Sequence, residues 1–268
     1  MPKVAVNGTE LFYRLDGPQA SSPTLVLLNG IFQRTEAWEP LMPHLSGLKV
    51  LRYDMRGQGQ SAVPDGVYTP ELHADDLQVL LQTLGIERYH LLGLSNGGIV
   101  AQVFAARQPK GLERLLLLCT TPRVDPLIRA KVESWQRALE WGGTMGRIQI
   151  ALPWIWGRAF LEAHPETAAP ASLEPLLAAA PSEQAQRNLM AGFLSLGDLR
   201  SRLTGIRVPT LVLSGEDDLL FPPVYSQEIA TSIPGATHRV LPRVGHVATL
   251  EDTALLAQEV QSFLEVRR

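Results

Sequence analysis

Short apolar runs alternate with longer helical patterns along most of the chain, and this alternation limits the possible folds more than any other feature. The runs cover residues 24–28, 50–53, 89–92, 115–119, 210–213 and 238–241. The helical patterns cover residues 69–84, 96–107, 222–232 and 253–266. The central runs show little apolar–polar alternation, as expected of strands that helices bury on both faces. The order predicts an α/β fold with a mostly parallel central sheet flanked by helices.

Two segments depart from this alternation. Residues 4–6 and 11–15 flank the turn-forming pair Asn7-Gly8 and predict a hairpin. Residues 121–203 are cut by prolines at positions 153, 165, 170, 175 and 181, which predicts short helices separated by prolines and no strand. We therefore predict a core of residues 1–120 and 204–268 with a helical cap, residues 121–203, inserted in it. A helical subdomain with no part in a site is the alternative.

Composition argues against several classes of protein. The net charge is −3 and the basic residues are scattered, so the sequence does not predict binding to nucleic acid. The single cysteine, Cys119, falls in a predicted buried strand and is expected to be a packing residue, and no Cys/His spacing indicates a metal site. We find no signal peptide and no apolar stretch long enough for a membrane span, so we expect a cytoplasmic protein. The oligomeric state stays open.

The segment of residues 89–98 contains a G-x-S-x-G pattern centred on Ser95. A serine at the apex of a sharp strand-to-helix turn has an unfavourable backbone, which small residues at Gly93 and Gly97 permit. Chance alone gives this pattern in about one such chain in ten. Its position between an apolar strand and a helix that begins near Asn96 favours a nucleophile over a mere glycine-rich turn.

A serine nucleophile needs a base, which an acid must orient. For a serine on such a turn, the acid and then the histidine follow along the chain. His246 lies in a loop between the last predicted strand and the last helix, so we predict it as the base. His238 begins the strand itself and is expected to be structural or exposed.

Three carboxylates after the run at residues 210–213 compete as the acid. They are Glu216, Asp217 and Asp218. The spacing Gly-x-x-Asp-x-x-x-Pro, from Gly215 to Pro222, favours Asp218, with Asp217 as the alternative. The unused carboxylates are expected to be solvated turn residues.

Two backbone N–H groups are the candidates for stabilising an oxyanion. One belongs to Asn96, which follows the candidate nucleophile, and the other to Ile31, in the loop after the first buried strand. A backbone donor cannot be removed by ordinary substitution, so Gly30 is the position that would probe this loop. Asn29 is expected to hold the loop in shape, and a contact with substrate is the alternative.

These elements together resemble the α/β-hydrolase family over essentially the whole chain. Residues 53–61 resemble the D-x-R-G-x-G-x-S loop common in that family, and we expect Asp54 and Arg56 to pair there and brace a structural turn. The family resemblance implies an α/β-hydrolase fold with a helical cap insertion.

Within the family, the resemblance is closest to 3-oxoadipate enol-lactonase-like hydrolases and carboxylesterases. The supporting stretches are residues 50–54, 84–88, 198–200 and 206–212. The sequence departs from those lactonases at Asn96, where they usually carry Met, and at residues 122–126.

The resemblance implies a serine hydrolase that cleaves a small-molecule carboxylic ester or lactone through an acyl-enzyme, without a metal or organic cofactor. An anionic substrate would need a cation, for which we predict Arg123. Alternatives are a slow-turnover ligand-binding or signalling protein, a cofactor-free haloperoxidase or perhydrolase, and a carbon–carbon bond hydrolase. The last of these usually has Trp after the histidine, where this chain has Val247.

Overall fold

An eight-stranded sheet organises the chain. The computed structural model describes residues 2–18 and 23–265. The strands are β1 (Lys3–Val6), β2 (Thr9–Asp16), β3 (Thr24–Leu28), β4 (Val50–Tyr53), β5 (Tyr89–Leu94), β6 (Leu112–Leu118), β7 (Thr210–Gly215) and β8 (Thr237–Leu241). Their spatial order is β1-β2-β4-β3-β5-β6-β7-β8. The pairs β1–β2 and β2–β4 are antiparallel and the others are parallel, so the predicted mostly parallel sheet and the N-terminal hairpin are confirmed.

Helices cover both faces of this sheet. They are α1 (Pro70–Thr83), α2 (Asn96–Ala105), α3 (Pro126–Ile155), α4 (Arg158–Ala163), α5 (Pro170–Ala179), α6 (Glu183–Leu194), α7 (Arg200–Leu203), α8 (Pro223–Ser232), α9 (Ala248–Glu251) and α10 (Thr253–Leu264). The predicted end of the last helix, Val266, lies outside the described residues. Among the helices that the structure describes, none is long and apolar enough to cross a membrane.

The central strands are buried on both faces, which explains their lack of apolar–polar alternation. In β3, Val26 and Leu28 belong to one hydrophobic cluster, while Leu25 and Leu27 belong to the other. Helices α1, α2 and α8 contribute to the first cluster and α10 contributes to the second. Since successive side chains of a strand point to opposite faces, a strand between two helical layers needs apolar residues at every position.

The helical segment (residues 121–203) contains α3 to α7, and no strand lies in it; the structure describes the backbone of all these residues. The prediction of short helices separated by prolines is wrong for α3: its 30 residues form two helical stretches that meet at a kink without a proline, and Pro153 lies inside the second stretch. The irregularity in α3 lies at Gly143, with φ 61° and ψ −162°, a conformation that glycine adopts without a steric penalty. Pro126 stands in the first turn, where its missing N–H costs nothing. The division into a core and an inserted cap stays a prediction.

The loop after β4 is braced differently from the sequence expectation. The Asp54 carboxylate accepts hydrogen bonds from the N–H groups of Thr35, at 2.7 Å, and Gln60, at 2.8 Å. Arg56 instead pairs with Asp76 of α1, through bonds of 2.6 and 2.7 Å. The expected Asp54–Arg56 pair is therefore wrong, because backbone donors occupy the Asp54 carboxylate and the guanidinium reaches a carboxylate distant in sequence.

The imidazole of His73 in α1 is fully buried near the Arg56–Asp76 ion pair. From its burial we predict that the stability of the protein depends on pH. Neither ring nitrogen has a hydrogen-bond partner among the described residues, and burial, followed by the Arg56 charge, lowers the pKa of His73 from 6.5 to about 3. A lowered pKa means that His73 lowers the free energy of unfolding as the pH falls from about 6.5 towards 3, because only the unfolded state takes up the proton.

Between pH 7 and pH 5, we expect the free energy of unfolding to fall by about 2 kcal/mol more in wild type than in His73→Leu, because only wild type has this histidine to protonate on unfolding. The contributions of the other titrating groups are the same in both proteins and cancel. Urea unfolding at both pH values measures the difference. The exposed His44→Leu variant is the control and should follow wild type. Equal pH dependence in wild type and His73→Leu would contradict the prediction.

Candidate active site

Ser95 lies at the turn between β5 and α2, in a strained backbone conformation. Its φ is 56° and its ψ is −119°, values that a non-glycine residue rarely adopts. Its N–H donates to the carbonyl of Leu118 at the end of β6, and its carbonyl accepts from the Thr120 hydroxyl at 2.7 Å. These contacts hold the predicted nucleophile at the carboxyl end of the sheet, where α/β folds place their ligand sites.

The two glycines of the G-x-S-x-G pattern are required by close backbone contacts. A Cβ atom at Gly93 would lie 2.4 Å from the carbonyl oxygen of Gly97. A Cβ atom at Gly97 would lie 2.3 Å from the carbonyl oxygen of Leu28. Both distances are far below van der Waals contact, so the tight turn and the approach of α2 to β3 exclude any side chain here.

The loop after β3 lies beside Ser95. A Cβ atom built on Gly30 would be 3.5 Å from the Cβ of Ser95. Among the described residues, the N–H groups of Ile31 and Asn96 donate to no hydrogen-bond acceptor. Asn96 is the first residue of α2, and the first N–H groups of a helix lack intrahelical acceptors. The structure thus brings the two predicted oxyanion donors to the neighbourhood of the same serine.

Two glutamine side chains fix the shape of this loop. The Gln33 Oε1 atom accepts from the Gly30 N–H at 3.0 Å, and the Gln58 Oε1 atom accepts from the Phe32 N–H at 3.0 Å. Gln58 also donates to the carbonyl of Gln33 at 3.0 Å. Phe32 has a positive φ of 65°, which these bonds help to maintain. Ile31 therefore sits between two residues whose own N–H groups are held by side chains.

Asn29 acts within the protein, as the sequence suggested. Its amide donates to the Tyr53 carbonyl at 3.1 Å, and its Oδ1 atom accepts from the Trp38 indole at 2.7 Å. Because Asn29 is completely buried, a direct contact with substrate is not supported.

His246 and Asp218 form a buried hydrogen bond. The His246 Nδ1 atom lies 2.8 Å from the Asp218 Oδ2 atom, and the other carboxylate oxygen accepts from the N–H groups of Leu220 and Phe221. Asp217 points elsewhere and accepts from the Ala159 N–H at 3.2 Å. The structure therefore pairs His246 with the favoured carboxylate, and leaves the His246 Nε2 atom for another partner.

Cys119 lies behind this pair. Ligand atoms of Cys119, Asp218 and His246 lie within 4.8 Å of one another, a spacing that could hold a metal ion. Burial raises the pKa of the Cys119 thiol well above its ordinary value, so the thiol stays protonated at neutral pH. Since metals bind the thiolate, the donor set fits a metal poorly.

Glu251 of α9 is a positioning residue that the sequence predictions missed. One carboxylate oxygen accepts from the Gly245 N–H at 2.7 Å and the Gly157 N–H at 3.1 Å, and the other accepts from the Val247 N–H at 3.1 Å. Two of these donors flank His246. Burial raises the pKa of Glu251. A carboxylate shortly after His246 was the only sequence signal, and solvated glutamates are far more common.

Glu251→Ala should leave these three donors without a carboxylate. We expect the free energy of unfolding to fall by about 2–4 kcal/mol, and kcat for the candidate reaction to fall about tenfold because the base loses its alignment. Urea unfolding and steady-state kinetics measure both effects. Glu259→Ala removes a partly exposed ion pair with Arg239, outside the loop that carries His246, and is the control, expected to change little. An unchanged kcat in Glu251→Ala would contradict a positioning role.

The structure does not support Arg123 as the cation for an anionic substrate. Its Nε and one Nη atom each lie 2.8 Å from a carboxylate oxygen of Glu228, and Asp125 is 3.6 Å away. The hydrogen bond to Glu228 raises the pKa of Arg123 beyond its usual range. The guanidinium fork is thus occupied by a partner that the sequence does not reveal, because Glu228 lies far along the chain, on α8.

Aromatic side chains lie next to His246 and next to the loop that carries Ile31. The Phe221 ring meets the His246 ring edge-on at 5.3 Å, and Phe193 stacks on Phe221 at 6.2 Å. Trp135 of α3 contacts Phe32, with ring centroids 6.5 Å apart. The helical segment (residues 121–203) therefore contributes apolar surface next to the candidate nucleophile and base.

The mostly parallel sheet, the turn at Ser95 and the buried His246–Asp218 pair are typical of an α/β-hydrolase fold. Comparison with known proteins leads to the same fold. A family profile described as alpha/beta hydrolase fold matches residues 23–253. The chain belongs to the α/β-hydrolase family.

Three relatives illustrate the range of activities in similar proteins. A RutD protein of Pantoea ananatis, for which carbamate hydrolysis has been suggested, is 30% identical over 90% of this chain and 88% of its own length. The enol-lactonase of Burkholderia xenovorans LB400 is 31% identical, with a TM-score of 0.87 over 98% of this chain and all of that one. A malate-bound thermophilic esterase of Thermogutta terrifontis is 27% identical, with a TM-score of 0.86 over 99% and 98%.

Proposed function

We propose that the protein is a serine hydrolase that cleaves carboxylic esters or lactones through an acyl-enzyme on Ser95, His246 and Asp218. The observation that carries this proposal is the buried 2.8 Å His246–Asp218 hydrogen bond, in a chain that also places a serine on a strained strand-to-helix turn. A charged acid that holds Nδ1–H of a histidine leaves Nε2 as the base for a serine hydroxyl. The similarity to an enol-lactonase and to an esterase supports the choice of substrate class.

The mechanism follows from these positions. The Ser95 Oγ atom attacks the substrate carbonyl while His246 Nε2 takes its proton, and Asp218 stabilises the resulting imidazolium. The N–H groups of Ile31 and Asn96 stabilise the oxyanion. His246 then protonates the leaving alcohol, and the acyl group stays on Ser95. Finally, His246 takes a proton from water as the water attacks the acyl group, and it returns this proton to the Ser95 Oγ atom when the bond to Ser95 breaks and the acid is released.

We also propose that the helical segment (residues 121–203) acts as a cap over the site. Trp135 of α3 contacts the loop that carries Ile31, and the Ala159 N–H in the first turn of α4 donates to Asp217. These contacts lie at the end of the sheet where Ser95 stands. The segment therefore supplies the surface that would select the acyl and leaving groups.

A substrate panel with covalent trapping tests the proposed function. We expect steady turnover of para-nitrophenyl acetate, butyrate and octanoate or of a lactone, and a mass increase on the Ser95 peptide after treatment with a fluorophosphonate. Ser95→Ala should show neither.

The same panel, extended by a phenyl carbamate, separates the alternative functions. Labelling of Ser95 without turnover of any ester or lactone would favour a ligand-binding protein. Cleavage of a phenyl carbamate faster than of every ester would favour carbamates as substrates. Equal behaviour of wild type and Ser95→Ala would overturn the assignment.

A further inference from the structure

Lys131 of α3 reaches the turn that carries the candidate acid. Its Nζ atom donates to the carbonyl oxygens of Leu219, at 2.5 Å, and Leu220, at 3.2 Å. These are the two residues that follow Asp218 along the chain. Among the described residues, no other group donates to either oxygen. A single side chain of the helical segment (residues 121–203) therefore holds both carbonyl groups.

The same two peptide groups hold the Asp218 carboxylate at their other ends. The peptide group between Leu219 and Leu220 presents the Leu220 N–H, whose nitrogen lies 2.9 Å from the Asp218 Oδ1 atom. The next peptide group presents the Phe221 N–H, whose nitrogen lies 2.8 Å from the same oxygen. The described peptide bonds are trans, and in a trans peptide group the carbonyl and the N–H point in opposite directions. Each peptide group thus lies between the Lys131 ammonium and the Asp218 carboxylate.

A cation at the oxygen of a peptide group strengthens the hydrogen bond that its N–H donates. Hydrogen bonds in a chain polarise one another, and they are electrostatically stronger inside a protein, where the effective dielectric constant is low. Asp218, Leu220 and Phe221 are all at least 97% buried, with exposed fractions of 1%, 3% and 1%. Donors to the charged form of a carboxyl group favour that form. The arrangement therefore favours an ionised Asp218, whose other oxygen accepts from His246.

The surroundings of Lys131 fix its ammonium group in this place. The Nζ atom lies 6.0 Å from the centroid of the Trp154 ring, a distance at which the face of the ring attracts a cation. Burial lowers the pKa of Lys131, and the negative charges of Asp218 and Asp125 act in the opposite direction. The ammonium group is thus held between an aromatic ring of its own helix and the two carbonyl groups of the turn.

We propose that Lys131 is a positioning residue for the candidate acid. Its ammonium group acts through two peptide groups to hold the Asp218 carboxylate in the orientation that His246 requires. This inference rests on the proposed function and adds a residue of the helical segment (residues 121–203) to the groups that support Ser95. The acid is then fully held only while α3 lies against the turn after β7.

Kinetics of Lys131→Met on para-nitrophenyl butyrate test the proposal. Methionine keeps an unbranched apolar chain and removes the charge and the donors. Fluorophosphonate labelling, carried to completion, gives the concentration of reactive serine. We expect kcat per reactive serine to fall about tenfold because the base loses an aligned acid, and KM to change about twofold at most because the chemical step alone is affected. Lys131→Arg retains the charge and the donors and should lose about threefold at most in kcat.

A double-mutant cycle distinguishes action through Asp218 from any other role. In an Asp218→Asn background, Lys131→Met should change kcat about twofold at most, because the carboxylate on which Lys131 acts is already absent. The same loss in both backgrounds, or no loss in the wild-type background, would overturn the proposal. If Lys131→Met fails to fold, Lys131→Gln takes its place, and we expect a loss in kcat that is again absent in the Asp218→Asn background.

Arg129→Met is the matched control. Arg129 lies two residues before Lys131 on α3, and its guanidinium donates to the Leu194 carbonyl at 3.3 Å. The substitution removes a cation that contacts a backbone carbonyl from the same helix, but this carbonyl belongs to α6 and not to the turn of Asp218. We expect kcat and KM to stay within about twofold of wild type. A loss equal to that of Lys131→Met would assign the effect to the helix as a whole and overturn the positioning role.

The rate of reaction with the fluorophosphonate separates this proposal from the proposed function, because this reaction of Ser95 needs the triad but no cleavable ester. If wild type is labelled but cleaves no ester or lactone, and Lys131→Met is labelled about tenfold more slowly, the proposed function fails and the positioning role stands. If wild type cleaves esters and both proteins are labelled at equal rates, the positioning role fails and the proposed function stands. If wild type is neither labelled nor active, both fail.

Discussion

Asp218→Asn is expected to lower kcat for ester hydrolysis about a thousandfold to ten-thousandfold, while KM changes little. The carboxylate accepts from His246 at 2.8 Å and from two backbone N–H groups. An asparagine that keeps the backbone bonds through its oxygen would present its amide group to Nδ1. The imidazole would then carry its proton on Nε2, and this tautomer cannot accept a proton from Ser95.

Asp217→Asn is the matched control for this prediction. The two aspartates are adjacent in sequence, yet Asp217 bonds to the Ala159 N–H and not to His246. We expect less than a threefold change in its kcat, measured on the same para-nitrophenyl ester with Ser95→Ala as the background. A large loss in Asp217→Asn with near-normal Asp218→Asn would assign the acid to the other position.

Gly97→Ala is expected to reduce kcat/KM at least a hundredfold and to lower the melting temperature. The added Cβ atom would lie 2.3 Å from the Leu28 carbonyl oxygen and 2.5 Å from that of Asn29. Both are backbone atoms at the end of β3, so α2 or the loop with Ile31 must move. A displacement of about 1 Å at an active site costs on the order of a hundredfold in rate.

Gly142→Ala tests whether this loss comes from the contact and not from an extra methyl group in a helix. Gly142 lies in α3, and a Cβ atom there would meet no atom within 4 Å. We expect wild-type kinetics and an equal or slightly higher melting temperature, since alanine favours a helix over glycine. Esterase activity and circular dichroism melting measure both variants. Wild-type activity in Gly97→Ala would show that β3 and α2 are less tightly packed than the structure indicates.

Local backbone requirements made much of the fold and of the candidate site predictable. The turn at Ser95 needs small residues on both sides, so it leaves a signature within five positions of the chain. Strands buried on both faces need continuous apolar runs, which fixed β3, β5 and β6 within a few residues. Asp218 could be located because it follows such a strand, β7, whereas His246 follows β8, which is mostly exposed, and was located by its place in the loop before the last helices.

Charge pairing was not predictable in the same way. Arg56 pairs with Asp76, Arg123 with Glu228, and Arg147 with no carboxylate among the described residues, although all three look alike as isolated arginines in the sequence. The partner depends on how distant elements meet in space, and periodicity carries no information about that. The prediction that prolines separate short helices was wrong for α3 for a different local reason: a proline in the first or last turn of a helix does not end that helix.

The end of α3 is tied directly to the loop that carries the candidate base. The His246 N–H donates to the Ile155 carbonyl at 3.0 Å, and Glu251 joins Gly157 to the same loop. If the end of α3 swung outward to admit a substrate, the imidazole would lose part of its support. Opening of the site and inactivation of the base would then be a single event. Such coupling would keep Ser95 unreactive towards esters in solution until the end of α3 returns to the His246 loop around a substrate that fits.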